Sequence, residues 1–218
     1  MTKHTLLLAA LLGVTLGASG AARADLGLRS TLDEKPRDRG GAIVGLKVGG
    51  ALTQPFSNLG GSYYLELEAG YMLPYLRRLL SVTVSAGLSA PSTSGSASDS
   101  RVPGGSFTYE AGQTQVGLGL TLTARVPLGR IVPYVGVGPR LILVRTQSSG
   151  VATAAPIDQS SETSTEIGIG VPVGVDFLLG PGRIFAEGQL LWTGIAQRSS
   201  GESSLGAINL CAGYRFVL

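Results

Sequence analysis

Eight stretches of this 218-residue chain alternate, residue by residue, between apolar side chains and small or polar ones. Successive side chains of an extended strand point to opposite faces, so a period of two marks a strand with one apolar face. The stretches are 42–50, 62–72, 79–89, 113–126, 131–145, 165–178, 183–193 and 205–218. In the fourth, Val116, Leu118, Leu120, Leu122 and Ala124 oppose Gln115, Gly117, Gly119, Thr121, Thr123 and Arg125. In the second, Leu65, Leu67 and Ala69 oppose Glu66, Glu68 and Gly70. An amphipathic helix needs a period of 3.6 and cannot be read from this pattern. The chain is therefore expected to be all-β.

The connections follow a rule of their own. Three are tight, around 72–78, 127–130 and 180–182. Four are longer, at about 51–61, 90–108, 146–164 and 194–204, and are rich in Ser, Gly, Thr and Ala. Short turns at one end and long loops at the other are the layout of a transmembrane barrel, with turns on the periplasmic side and loops outside. The expected fold is an eight-stranded antiparallel up-and-down transmembrane β-barrel over 41–218.

A soluble barrel with an apolar interior would show the same alternation. Three features favour the reverse orientation. The polar face is mostly glycine and small hydroxyl residues, whereas a solvated face would be lined with Lys and Glu. Charged residues make up only 14% of the chain, against roughly 25% in ordinary soluble domains. The aliphatic face runs for roughly ten residues per strand, enough to cross a band about 25 Å tall, and the last alternating stretch continues to Leu218. Loops 90–106 and 147–163 lack apolar periodicity and are expected to be mobile and surface-exposed, the place where a surface ligand would bind. Phe56, Phe107 and Tyr109 are assigned to the outer aromatic girdle.

The inward face then carries Lys47, Arg125, Arg140 and Arg215 against Glu66, Glu68, Glu166, Asp176 and Glu187. An eight-stranded barrel is only wide enough inside for side chains. Charges held there with little water must pair. Counting from the tight turns, Lys47 is expected to meet Glu66 or Glu68, and Arg215 to meet Glu187, in the half of the barrel nearer the turns.

Residues 1–24 have the form of a secretory signal peptide: basic Lys3, the apolar run Leu6–Leu16, and Ala22-Arg-Ala24 as a cleavage site. A polar segment, 25–40, follows. Cleavage removes Lys3, His4 and Arg23 but no acid, leaving 15 basic residues against 14 acidic, a net charge of +1. That is too little to steer nucleic acid. The mature chain has no histidine and one cysteine, Cys211. A histidine-activated nucleophile, a histidine base and a Cys/His zinc site are thereby excluded. No catalytic, cofactor-binding or metal-ligating residue is expected, and no cofactor.

The signal peptide, the eight alternating strands, Pro133-Tyr-Val-Gly136 and the terminal Tyr214-Arg-Phe216 resemble the small outer-membrane β-barrel domains of the OmpA type. The resemblance covers 41–218. It implies a location in the outer membrane of a Gram-negative bacterium after signal-peptide-dependent export, as a monomer surrounded by outer-membrane lipid. It also implies insertion by the barrel-insertion machinery, which reads the last strand. Tyr214, Phe216 and Leu218 would carry that insertion signal, although family members commonly end on an aromatic and this chain ends on Leu218. The implied role is non-enzymatic, structural or in surface contact. A narrow channel or transporter for small solutes, hydrophobic ones included, is the alternative. A lipid-modifying outer-membrane enzyme is the third reading, and it would need a histidine that the mature chain lacks.

Overall fold

The computed structural model describes residues 41–53, 56–74, 78–98, 105–152, 155–195 and 204–218. The expected signal peptide at 1–24 and the polar segment 25–40 lie outside the described residues, as do parts of several connections. The strands are β1 (Gly41–Leu52), β2 (Ser62–Met72), β3 (Leu80–Ser89), β4 (Ser92–Ser98), β5 (Ser106–Arg125), β6 (Ile131–Ala152), β7 (Ala155–Leu179), β8 (Gly182–Trp192) and β9 (Ala207–Val217).

These nine segments build eight staves. Both β3 and β4 pair with β5, in one continuous register. Between them the Pro91 carbonyl still accepts the Gln113 N–H at 2.9 Å. Proline has no N–H to donate, so the strand is interrupted at Ala90–Pro91 while its path continues. Neighbours run antiparallel in the order β3-β2-β1-β9-β8-β7-β6-β5-β4, and the β3–β5 ladder closes the sheet on itself. Closure leaves no stave with a free edge through the barrel wall, which is what a hydrocarbon environment requires of a sheet. Two of the tight turns use glycine at left-handed positions, Gly129 at φ 71° and Gly180 at φ 57°, where other side chains are strained.

The alternation is written into the exposure. On β1, Val44, Leu46 and Val48 are 51%, 45% and 51% exposed, while Lys47 between them is 3% exposed. Leu67, Val84, Leu120, Val137, Ile169 and Leu210 likewise stand outward. A fold that turns its aliphatic residues out and its charges in is stable only where the outside is apolar. Outward aromatics bound this belt: Tyr63 and Trp192 at the loop end, and Tyr71, Phe177, Tyr214 and Phe216 at the turn end. Tyr63 and Tyr71 lie on one face of β2. They are eight residue steps apart, about 27 Å along the strand and about 20 Å along the membrane normal at a tilt near 40°.

The structure corrects two expectations. The stretches 90–106 and 147–163 are largely strand: β4 fills Ser92–Ser98, β5 begins at Ser106, β6 runs to Ala152 and β7 begins at Ala155. Pairing is made by backbone groups and needs no apolar face. Above the belt neither face of the sheet meets hydrocarbon, so the period of two disappears from the sequence while the pleat persists. The second correction concerns the girdle. Phe107 and Tyr109 fall at the positions of β5 that share the interior face with Gln113, Gln115 and Gly119. Their rings are 6.4 Å apart, and Tyr109 lies against Gly95 of β4. Phe56 is half-buried against Gly206.

Candidate functional site

The barrel interior is layered. From the turn end to the middle of the barrel, inward positions of seven strands deliver charges to one cluster. Lys47 Nζ sits 2.8 Å from Glu66 Oε1, 2.8 Å from Glu187 Oε1 and 3.2 Å from Glu68 Oε2. Lys47 and Glu66 are direct cross-strand partners on β1 and β2. Arg215 of β9 donates to Glu68, to Asp176 Oδ1 at 2.7 Å and to Glu187 Oε2 at 3.0 Å. Arg140 of β6 reaches Glu66 Oε2 at 2.6 Å and donates to Ser85 Oγ at 2.7 Å. Arg125 of β5 lies 3.6 Å from Asp176 Oδ2 and donates to Ser81. Arg183 of β8 is 3.4 Å from the same Asp176 oxygen.

Two tyrosines complete the cluster. Tyr64 donates to Glu66 Oε2 at 2.5 Å, and Tyr134 donates to Glu187 Oε2 at 2.7 Å. The Arg215 guanidinium also stacks 3.9 Å from the Phe185 ring centroid and 4.7 Å from that of Tyr134. Carboxylates taken out of water need partners of this kind, and each carboxylate here has at least two.

Small residues on the same face make room for the long ones. Glu68 and Arg215 meet across β1 above Gly45, where a Cβ would lie 2.6 Å from Glu68 Oε1 and 3.1 Å from Arg215 Cγ. Gly119 and Gly170 flank the Arg140 side chain in the same way, with Cβ positions 2.5 Å from its Nη1 and 2.9 Å from its Nε. The glycine-rich inward face is thus the space in which arginine side chains lie flat.

Above the charges comes an amide layer. Asn209 Nδ2 donates to Gln189 Oε1 at 3.0 Å, and Gln115 Nε2 to Gln113 Oε1 at 2.9 Å. At the loop end the interior becomes apolar: Ile142 and Val144 of β6 pack with Ile195 and Leu205, and Leu191 joins them. Cys211 is buried beside Ala51 and Tyr64, and its thiol points at the Glu187 carbonyl, 3.6 Å away.

Of the nine charged residues assigned to the interior from sequence, eight converge in this cluster. Glu166 lies on the interior side of β7 opposite Ile142, half-buried and outside the ion pairs of the described residues. Sequence reasoning missed Arg183, although it shares the parity of Phe185 and Glu187. It also missed the part played by Tyr64 and Tyr134, which sit among the inward positions of their strands. Ile142 and Val144 were missed too: the unbroken run Leu141-Ile-Leu-Val144 is apolar on both faces, and that was their signal. Among the described residues no group of acidic, cysteine or histidine side chains is placed to hold a metal ion.

An antiparallel barrel closed on itself, aliphatic outside and filled with paired charges, is the transmembrane class of β-barrel. No family model matches the chain, and no curated protein matches it in sequence. Solved structures do match. A major outer membrane protein from Thermus thermophilus superimposes with a TM-score of 0.52 at 12% identity, covering 83% of this chain and 100% of that one. Neisserial surface protein A gives a TM-score of 0.47 at 18% identity, covering 81% and 96%. Ail, the attachment invasion locus protein of Yersinia pestis, in complex with the heparin analogue sucrose octasulfate, gives 0.43 at 14% identity, covering 81% and 99%. The fold is that of the small outer-membrane β-barrels.

Proposed function

We propose that the protein is an integral outer-membrane β-barrel of non-enzymatic function, exported through its 1–24 segment and serving the cell surface as a structural or contact element. The observation that carries this reading is the inverted distribution of side chains, aliphatic toward the outside and ionised toward the inside. The cluster around Lys47 and Arg215 spans the narrow lumen and ties seven strands together, which favours a rigid support over a pore. The last strand presents Tyr214 and Phe216 outward at the turn end, edge to face at 4.7 Å, with the Tyr214 hydroxyl donating to the Leu179 carbonyl at 3.2 Å. These two residues and Leu218 are proposed as the signal read by the barrel-insertion machinery.

Cell fractionation combined with gel mobility before and after boiling tests the assignment. The chain is expected in the outer-membrane fraction, migrating faster when unheated because the closed barrel stays compact in detergent. A soluble periplasmic chain whose mobility heat does not change would overturn it. Planar bilayers address the lumen separately: the plugged barrel is expected to give no conductance steps, and regular steps would move the reading to a narrow solute path.

A further inference from the structure

Above the belt, β4 to β7 carry polar side chains on the outward face as well, and there the sheet shapes an open concavity of about 790 Å³. The register places its lining in rows. Val116 and Leu143 form the last apolar row on β5 and β6. Directly above them Arg145 stands between Thr114 and Thr163. Gln147 comes next, beside Gly112, and then Glu110 beside Ser149. Ser92 and Ser94 of β4 form the side wall, opposite Gly112 and Glu110. Arg145, Gln147 and Glu110 are exposed, and Arg145 makes no ion pair among the described residues.

Three properties select the occupant. The first is depth: a molecule in this concavity stands one step above exposed Val116, Leu141, Leu143 and Ile167, so it sits at headgroup level while its apolar part rests on the belt. The second is chemistry: hydroxyls and amides are the partners that sugar hydroxyls take, and a guanidinium is the partner of a phosphate. The third is arrangement. Glu110 lies about 13 Å above Arg145 along the strand, far enough to bind a hydroxyl or amine without opposing an anion at the membrane surface. The volume falls within the about 300–1,000 Å³ of sites for small ligands.

We propose that this concavity holds the phosphorylated sugar headgroup of an outer-leaflet glycolipid, with its phosphate on Arg145 and its acyl chains on the apolar row beneath. The inference rests on the outer-membrane reading, and the experiment separates the two. The full chain is refolded into phosphatidylcholine vesicles containing equal fractions of either bisphosphorylated lipid A or phosphatidylglycerol. Insertion is scored first, by gel mobility and by emission of Trp192, the single tryptophan. A chain that stays outside the vesicles overturns the outer-membrane reading and the inference with it.

For inserted protein, lipid retained through detergent extraction is counted by native mass spectrometry. Wild type is expected to retain lipid A over phosphatidylglycerol by about tenfold or more. Arg145→Ala removes the phosphate partner. Gly112→Phe fills the concavity from a position where a Cβ meets nothing within 4 Å. Each is expected to reduce lipid A to the phosphatidylglycerol level while insertion is unchanged. Equal retention of the two lipids by wild type, or retention untouched in either variant, overturns the proposal.

Discussion

Arg215 and Arg145 belong to one sheet and are treated in opposite ways. Arg215 points into the barrel at belt height, is 3% exposed and contacts Glu68, Asp176 and Glu187. Arg145 points outward one row above the belt and is exposed. Yet the β5–β6 ladder that passes both levels keeps a single register, from Arg125 opposite Tyr134 to Phe107 opposite Ala152. The backbone does not know where the belt ends. The side chains do, because the surrounding medium, and not the hydrogen-bonded ladder, decides which face must be aliphatic.

The contrast is sharpest for the arginines themselves. Arg215→Met leaves three buried carboxylates short of a partner and is expected to destabilise the barrel by about 3–5 kcal/mol. Arg145→Met is expected to change stability by no more than about 0.5 kcal/mol. Urea unfolding in lipid vesicles compares them, and similar costs would mean that the lumen solvates its charges as well as the surface does.

The outward face gives the next test. Leu118→Arg puts a charge into the middle of the belt and should cost about 2–4 kcal/mol, whereas Thr163→Arg, just above it, should cost about 0–1 kcal/mol. Equal values in the same vesicles would erase the boundary drawn at Val116 and Leu143.

Glycines sharpen the comparison from the inside. Gly119→Ala presses on the Arg140 guanidinium and is expected to cost about 1–3 kcal/mol, since added methyl groups in a filled interior are poorly tolerated. Gly112→Ala enters open space and should stay within about 0.5 kcal/mol of wild type. The smallest effect is dynamic. Amides of β5 at Tyr109 and Glu110 should exchange by local opening faster than those of Leu118 and Leu120, while remaining protected by their partners Gly150 and Ser149. Exchange as fast as in an unstructured chain would return this region to a loop.

The same boundary decided what the sequence made legible. Lipid enforces alternation, so Val44 to Val48, Leu65 to Ala69 and Leu118 to Ala124 announced strand, face and count together. Ser92–Ser98 and the ends of β5, β6 and β7 lie where no medium sorts the two faces, and their Ser, Thr and Gly residues gave no sign of pairing. Inside the barrel, parity placed Lys47 and Glu66 on facing strands, but it could not give the third dimension. That Lys47 also reaches Glu187, and that Asp176 gathers Arg125, Arg183 and Arg215, depends on curvature bringing non-neighbouring strands together. Tyr64 and Tyr134 were hidden for a related reason: parity put them on the inward face, but it could not show their hydroxyls meeting Glu66 and Glu187.

Cys211 faces Gly49 across the ladder between β1 and β9, so tightly that a Cβ on Gly49 would come within 2.7 Å of the Cys211 Cα. Among the ladders this is the one joining the first stave to the last, and it forms only when the two ends of the barrel find each other. The chain has no other thiol. Its chemistry is therefore a clock for assembly. A reagent added during insertion is expected to mark molecules whose seam is still open, and a bulky adduct at that spot would press the seam apart, so one atom would both report on closure of the seam and oppose it.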